Sequence, residues 1–195
     1  MIRFYAVFFP VYFGAACLSA AMGRSSSFYF DWENQIPLIA WMIWPYLSLF
    51  PLFLLPLLFM SPRDMARLSH QSTLALLIAG AAFLAFPAQR GFAAAPVDSF
   101  HAPLFALVNM IDTPHNLAPS LHVTFGALLL LGSSEAVPRR RGARGIGAPL
   151  CYTWLAVMSA STVLVHQHHL ADVASGLALA IAVRWLLPLT PSRAA

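Results

Sequence analysis

Six long apolar segments dominate this sequence and restrict its fold more than any other feature. One helical crossing of a bilayer needs about 20 predominantly apolar residues. Hydrophobic residues make up 59% of the 195 positions and charged residues only 9%, whereas soluble domains carry about 25% charged residues. The sequence therefore predicts an all-α, polytopic membrane protein with a six-transmembrane-helix bundle. The predicted spans are residues 4–22, 37–60, 72–89, 121–137, 148–165 and 169–189.

A single domain, residues 1–195, accounts for the whole chain, since no second domain or internal repeat is apparent. The connections are short except for residues 91–120, a long outer loop between the third and fourth predicted helices. Loops of this length are usually functional or disordered. Its apolar stretch at residues 103–110 is too short to span a bilayer, so it is expected at the interface or as a cap on the bundle.

Two segments carry further structural signals. Pro45, Pro51 and Pro56 remove backbone donors from the second span and predict a kinked or bent helix. The first span follows Arg3 and ends in small residues at 19–21. It therefore also fits a cleaved secretory signal, which would leave five spans, and this alternative stays open.

The basic residues predict an orientation in the cell membrane. All 11 are arginine, and the sequence contains no lysine. With both termini in the cytoplasm, only Arg24 and Arg90 of these 11 face outward, in agreement with the positive-inside rule. Six of the seven histidines also face outward, so an active site is expected on the outer face. The run at residues 139–141 indicates topogenic charge and contact with anionic membrane lipids rather than with nucleic acid.

The most reactive side chains stand at the outer starts of two predicted spans. His168 and Asp172 are four residues apart, so on a helix they share one face and form a histidine–carboxylate pair. A carboxylate that holds one ring nitrogen leaves the other as a base or nucleophile. Ser120 precedes the fourth span as a potential N-cap, and such a helix end attracts phosphate. His122 in the first turn would stand beside the bound anion and could protonate a leaving oxygen.

These residues resemble a known family. The segment Pro119-Ser120-Leu121-His122 and the arrangement Ser-x6-His-x3-Asp-x3-Gly at positions 161, 168, 172 and 176 resemble the type 2 phosphatidic acid phosphatase superfamily. More narrowly, Asp112-Thr113-Pro114-His115-Asn116-Leu117-Ala118-Pro119-Ser120-Leu121-His122 is similar to the branch that includes inositolphosphorylceramide synthases. The six-span layout with an outer site fits the same family.

The resemblance implies metal-independent phosphoryl transfer through a phosphohistidine, without a cofactor. His168 would attack phosphorus, and Asp172 would orient it. His122 would protonate the departing alkoxide and then activate water or an acceptor alcohol. Ser120 would hold phosphate oxygens, as stabilisation of the transferring group requires, although simple helix capping explains it too.

The chain departs from the family pattern in its cationic residues. Without lysine it cannot contain the first motif, Lys-x6-Arg-Pro, and Thr162 stands where the third motif often has arginine. Arg90 is the basic candidate for phosphate binding, although an arginine there also suits interfacial anchoring. Ser161 is a further candidate phosphate ligand through its motif. His115 and His166 would add positive charge if protonated.

The leading interpretation is an integral membrane phosphatase that hydrolyses a lipid phosphate monoester or diphosphate. The alternative is a phosphotransferase that moves a phospho-headgroup to a lipid alcohol. Two other classes stay open: a metal site at His166, His168, His169 and Asp172, since imidazole and carboxylate suit zinc, and a non-enzymatic bundle related to transporters. The oligomeric state and the identity of the lipid are not predicted.

Overall fold

The computed structural model describes residues 2–23, 26–93, 95–112, 116–141 and 147–188, and the protein is predominantly helical in this part of the chain. These residues form no strand, and Ser26 and Ala88 make one isolated parallel β-bridge. The all-α prediction is therefore confirmed. The α-helices are α1 (Ile2–Met22), α2 (Ile43–Leu47), α3 (Leu49–Leu52), α4 (Leu55–Phe59), α5 (Pro62–Ala85), α6 (Ala102–Ile111), α7 (Leu121–Arg141), α8 (Gly147–Leu164) and α9 (Leu170–Leu186), with 3-10 helices at Asp31–Gln35 and Ala40–Met42.

Three helices within the described residues are long and apolar enough to cross a membrane. They correspond to the first, third and fifth predicted spans: Phe4–Met22, Pro62–Ala85 and Gly147–Leu164. The apolar part of α7, Leu121–Ala136, is shorter, and α9 has 17 residues. These helices support a membrane protein, and the six-span topology stays a prediction.

The second predicted span is broken rather than merely kinked. Residues 40–59 form a 3-10 helix and the three short helices α2, α3 and α4 in place of one rod. Pro45, Pro51 and Pro56 lie inside these pieces, and each lacks the N–H that a continuous helix would need. The breaks leave backbone carbonyls near the ends of the pieces without partners in their own helix.

The third predicted span begins earlier than expected. We predict its start at residue 72 from hydropathy, whereas α5 begins at Pro62. The Ser61 hydroxyl accepts a hydrogen bond from the Asp64 N–H, and Pro62 occupies the first helical position. This N-cap initiates the helix in a polar sequence, where a search for apolar runs does not register it.

Helix α7 lies at the centre of the bundle and packs against α8, α9, α5 and α4. Glycines let its neighbours approach closely, as is common between membrane helices. A Cβ on Gly126 would lie 1.8 Å from the terminal methyl carbon of Met158 in α8. A Cβ on Gly176 in α9 would lie 2.6 Å from the Ser120 carbonyl oxygen, just before α7. The Thr124 hydroxyl bonds both the Ser120 and the Gly176 carbonyls at this crossing.

Several helix ends meet at one end of the bundle, which we call the site end. There α1, α5 and α8 finish, and α7 and α9 begin. Backbone hydrogen bonds join the segments that follow or precede these ends, including Ser26 N to Pro87 O, Ile39 N to Leu164 O and Ser120 N to Asp172 O. Helix α6 covers part of this end, since Phe105 and Val108 pack in a cluster with Ile43, Tyr46 and Val165. The apolar stretch at residues 103–110 thus caps the bundle, one of the two arrangements expected.

Candidate active site

A tight loop between α8 and α9 presents His168 at the site end. The Thr162 carbonyl accepts hydrogen bonds from the backbone N–H groups of Gln167 and His168, both at 3.0 Å. His166 has a positive φ of 59°, which non-glycine residues adopt rarely. The loop reverses the chain over a few residues and thereby fixes the position of His168.

His168 and Asp172 come together as their spacing of four residues predicts. His168 Nδ1 lies 3.4 Å from Asp172 Oδ2, without the angles of a hydrogen bond, and both side chains are buried. The same carboxylate oxygen accepts a 2.9 Å hydrogen bond from the His169 N–H and so caps α9. Because Nδ1 faces the carboxylate, Nε2 is the nitrogen of His168 that is left for a reacting partner.

His122 is held from the other side of the site by Tyr46. Its Nε2 lies 2.7 Å from the Tyr46 carbonyl oxygen, and the two rings stack with centroids 3.9 Å apart. A carbonyl only accepts, so Nε2 carries the proton and Nδ1 is left for a substrate. Tyr46 lies near the end of the five-residue helix α2, where carbonyls lack helical partners.

One cavity joins the two histidines. It has a volume of about 300 Å³ and divides into a polar end and an apolar wall. The polar end is lined by Tyr46, Arg90, Asp112, Asn116, His122, Gln167 and His168. The apolar wall is largely aromatic and is formed by Phe4, Tyr5, Phe8, Phe9, Tyr12, Phe13, Leu49, Phe50, Phe53, Ile111, Leu117, Leu121 and Phe125.

Arg90 places a positive charge at the polar end, as the sequence predicts. Its Nη1 donates a 2.5 Å hydrogen bond to Gln167 Oε1, and the Gln167 amide nitrogen lies 3.5 Å from Asn109 Oδ1. Gln167 thus connects Arg90 to the loop that carries His168 and to α6. The structure therefore brings four of the predicted site residues to one cavity: His122, His168 and Arg90 line it, and Asp172 stands behind His168.

Two predicted phosphate ligands do not line this cavity. Ser120 is fully buried, and its hydroxyl oxygen accepts a 3.3 Å hydrogen bond from the Val123 N–H, which is the capping alternative. Ser161 is also fully buried, and its hydroxyl donates to the Met158 carbonyl at 2.6 Å. Both hydroxyls form hydrogen bonds with backbone groups of helices, whereas the sequence predicts that they bind phosphate.

His166, one of the two histidines expected to add positive charge, does not line the cavity either. His166 donates from Nε2 to the Ile36 carbonyl at 2.9 Å, and its ring stacks on Phe92. Burial lowers the pKa of His166, although the bond to the Ile36 carbonyl opposes this, so the ring favours its neutral form. His115 lies outside the described residues.

A second polar cluster, which no sequence motif indicates, lies beside the site. Glu33 is completely buried. Its carboxylate accepts hydrogen bonds from the Phe30 N–H at 2.9 Å and the Leu170 N–H at 2.8 Å. The same Oε2 lies 3.3 Å from His169 Nδ1. A buried carboxylate with three such partners fixes the start of α9 against the segment between α1 and α2.

Both ring nitrogens of His169 have hydrogen-bond partners. Its Nε2 accepts a 3.0 Å hydrogen bond from the Gly91 N–H, so Nδ1 carries the proton and donates to Glu33. The ring lies between Tyr29 and Phe92, with both centroid distances 4.2 Å. Among the described residues no group of three or more His, Cys, Asp or Glu side chains is arranged to hold a metal ion.

Sequence reasoning missed several of the side chains at the polar end. Asp112, Asn116 and Gln167 lie within the family-like segments, but no chemical role was attached to them. Tyr46 lies 76 positions from His122 and carries no motif of its own. Its contribution to His122 comes from a backbone carbonyl and a stacked ring, so residue type alone gives no signal for it.

Of three comparisons with known proteins, one identifies a family. No curated protein and no solved structure matches the chain. A family model described as the PAP2 superfamily matches residues 6–194, nearly the whole length. Members of that superfamily are generally phosphatases or phosphotransferases and are associated with membranes. Because this match covers nearly all of its residues, the chain belongs to the PAP2 superfamily.

Proposed function

We propose that the protein is an integral membrane phosphatase that hydrolyses a lipid phosphate monoester or diphosphate through a phosphohistidine. One observation carries the proposal: a single cavity has two histidines and an arginine at its polar end and an aromatic wall beyond them. The polar end suits a phosphate group, and the wall suits an apolar chain.

In the first half-reaction, Nε2 of His168 attacks phosphorus. A P–N bond forms, and the P–O bond to the lipid breaks. Nδ1 of His122 accepts a proton from the phosphate monoanion as the substrate binds and transfers this proton to the departing oxygen. Asp172 keeps Nδ1 of His168 facing its carboxylate and stabilises the positive charge that develops on the ring.

In the second half-reaction, a water molecule attacks the phosphohistidine. Nδ1 of His122 takes a proton from this water, and the P–N bond breaks. Inorganic phosphate takes this proton from Nδ1 as it leaves, and both histidines return to their starting protonation states. The two steps together consume one water molecule for each ester bond broken.

Arg90 is the proposed cationic ligand for the phosphate oxygens. The family pattern supplies several such charges, whereas this chain has no lysine and carries Thr162 in place of an arginine. Gln167 holds one guanidinium nitrogen of Arg90 at 2.5 Å. The other donors of its planar fork suit phosphate oxygens.

The aromatic wall supports a lipid as the substrate. Helix α1 contributes Phe4 at one end and Phe13 at the other, a distance of about 13 Å at the helical rise of ~1.5 Å per residue. Phe125, one turn after His122, continues this surface and contacts Phe4 and Phe8. A single alkyl or prenyl chain on this wall would lead its phosphate to the polar end.

We further propose that the site end faces outward and that both termini are cytoplasmic. The arginine distribution supports this orientation. A single cysteine at the exposed Phe100 position, in a background without Cys17 and Cys151, should react with a membrane-impermeant maleimide in intact cells. Reaction only after cell lysis would contradict the proposed orientation.

A lipid phosphotransferase is the second candidate. Residues 112–122 resemble the synthase branch, and Asn116 supplies a specific observation. Its amide nitrogen donates to the Tyr12 carbonyl at 2.7 Å, while its Oδ1 is buried without a hydrogen-bond partner and the residue lines the cavity. An unpaired acceptor there suits the hydroxyl of a lipid alcohol that would replace water.

The test uses purified protein in detergent micelles. A panel of ³²P-labelled lipid phosphates, comprising phosphatidic acid, phosphatidylglycerophosphate, a sphingoid phosphate and undecaprenyl diphosphate, is assayed with and without chelator and vanadate. We expect free phosphate to appear, unaffected by chelator and inhibited by vanadate.

Labelled phospho-headgroup lipids with ceramide or diacylglycerol as acceptor form the second arm of the test. Label that moves into a new lipid would favour the phosphotransferase. Loss of activity with chelator would favour a metal-dependent mechanism. No turnover in either arm would contradict both proposals.

A further inference from the structure

Tyr46 makes three contacts that converge on His122. Its carbonyl accepts the proton of His122 Nε2, and its ring stacks on the imidazole at 3.9 Å. Its hydroxyl donates to Asp112 Oδ2 at 2.5 Å. The side chain is 2% exposed. The position of the Tyr46 ring and backbone therefore fixes both the tilt and the tautomer of His122.

Asp112 links this arrangement to the segment that caps the site end. It directly follows α6, and its backbone N–H bonds the Val108 carbonyl. Val108 packs in the same buried cluster as Ile43 and Tyr46. The carboxylate of Asp112 thus ties the hydroxyl of Tyr46 to a helix whose own apolar face is anchored beside it.

We propose that Tyr46 and Asp112 form a clamp that positions His122 for proton transfer to the leaving group. The inference rests on the proposed function, since it assigns positioning residues to that reaction. The clamp holds the Nε2 proton on the Tyr46 carbonyl and directs Nδ1 to the substrate. Without the hydroxyl anchor, the ring and carbonyl of Tyr46 move relative to the phosphate, and displacements of about 1 Å cost on the order of 100-fold in rate.

The clamp predicts a specific kinetic effect, because it acts only on the proton that His122 gives to the leaving group. An alkoxide leaving group needs that proton, whereas a nitrophenolate leaves without it. A loss of clamping should therefore slow the hydrolysis of an alkyl phosphate far more than that of a nitrophenyl phosphate. A general loss of packing would slow both substrates alike.

The experiment compares dodecyl phosphate with a nitrophenyl phosphate that bears a dodecyl chain, so that both substrates place the same alkyl chain against the apolar wall. Tyr46→Phe removes only the hydroxyl and keeps the stacked ring. We expect kcat for dodecyl phosphate to fall by about 10-fold or more, with KM little changed and the nitrophenyl substrate within about threefold of the wild-type rate. Tyr152→Phe, on the exposed face of α8, is the matched control and should leave both rates unchanged.

Two further variants distinguish the clamp from a structural role. Asp112→Asn keeps an acceptor for the Tyr46 hydroxyl and should retain most activity, whereas Asp112→Leu should reproduce Tyr46→Phe. In a His122→Ala background, Tyr46→Phe should cause no additional loss, because the two act in one unit.

Three results would overturn the inference: equal losses on both substrates, additive losses in the double variant, or no rescue by Asn at position 112. A wild-type protein that hydrolyses neither substrate would instead contradict the proposed function, and the clamp with it. A variant that unfolds in detergent is recognised by its thermal unfolding curve. The Asp112 pair then decides the question.

Discussion

His168 and His169 are neighbours in the chain, yet their surroundings are opposite. Both nitrogens of His169 have hydrogen-bond partners, and its ring lies between two aromatic rings. His168 lines the cavity, and its Nδ1 has a carboxylate within 3.4 Å but no completed hydrogen bond. A saturated imidazole contributes to the fold, whereas an unsaturated one beside a cavity is available for chemistry. The sequence places both in one motif, and only their partners separate them.

The largest expected effect is on turnover when His168 is replaced. His168→Ala removes the proposed nucleophile and should lower kcat by more than about 10³-fold, with little change in thermal unfolding. His70→Ala, at an exposed position of α5, is the matched control and should keep full activity. The measurement is phosphate release from lipid phosphate in micelles. Turnover that survives in His168→Ala would remove the distinction drawn between the two neighbours.

Replacing His169 should lower the stability of the protein more than its turnover. His169→Ala leaves the buried Glu33 carboxylate and the Gly91 N–H without this partner and removes a stacked ring. We expect the free energy of unfolding to fall by about 3 kcal/mol or more. Turnover per folded molecule should fall far less than in His168→Ala. Thermal unfolding in detergent, together with kcat well below the transition, measures both quantities, and a stable but inactive His169→Ala would break the comparison.

An alanine at Gly176 should displace the start of α9, which follows both histidines. The added Cβ meets the Ser120 carbonyl oxygen at 2.6 Å, so α9 must shift away from α7. We expect a loss of about 1–3 kcal/mol in stability and a fall of up to ~100-fold in kcat from misplacement of His168 relative to His122. Gly14→Ala in α1, with open space around its Cβ, should stay active and slightly gain stability. Equal behaviour of the two variants would contradict the proposed close approach.

The smallest effect concerns pH and His166. Burial lowers the pKa of His166 below its ordinary value of 6.5. Its neutral form therefore stabilises the folded state above pH 6.5, and this contribution is lost as the pH falls toward the lowered value. His166→Asn, which tolerates the positive φ, should reduce the loss of melting temperature between pH 7.5 and pH 5. A variant that follows the wild-type pH profile would show that His166 does not contribute.

The broad fold followed from hydropathy, and its details did not. The fifth predicted span, residues 148–165, agrees with α8 within one residue at each end. The start of α5 depends on a Ser61 cap in a polar sequence, which an apolar run does not reveal. The second span breaks into pieces because three prolines act together, and their combined effect depends on which neighbours satisfy the exposed carbonyls.

The sequence likewise predicts only some of the residues of the candidate site. His122, His168 and Asp172 were found because their spacing and family-like motifs mark them, and Arg90 because a chain without lysine leaves few cations at that end. Ser161 and His166 have side chains that could bind phosphate, but both donate hydrogen bonds to backbone carbonyls instead. Whether a polar group is satisfied locally is a property of three-dimensional packing, and the sequence does not contain that information in any short pattern.

The chemical identity of the covalent intermediate tests the proposed mechanism most directly. Acid-free denaturing quench of the protein during turnover of ³²P-labelled lipid phosphate, followed by peptide mass spectrometry, locates the phosphoryl group. We predict a phosphohistidine at His168, attached at Nε2 because Nδ1 faces Asp172, and absent from His168→Ala. Phosphate release with label on another residue, or with label persisting in His168→Ala, would contradict it.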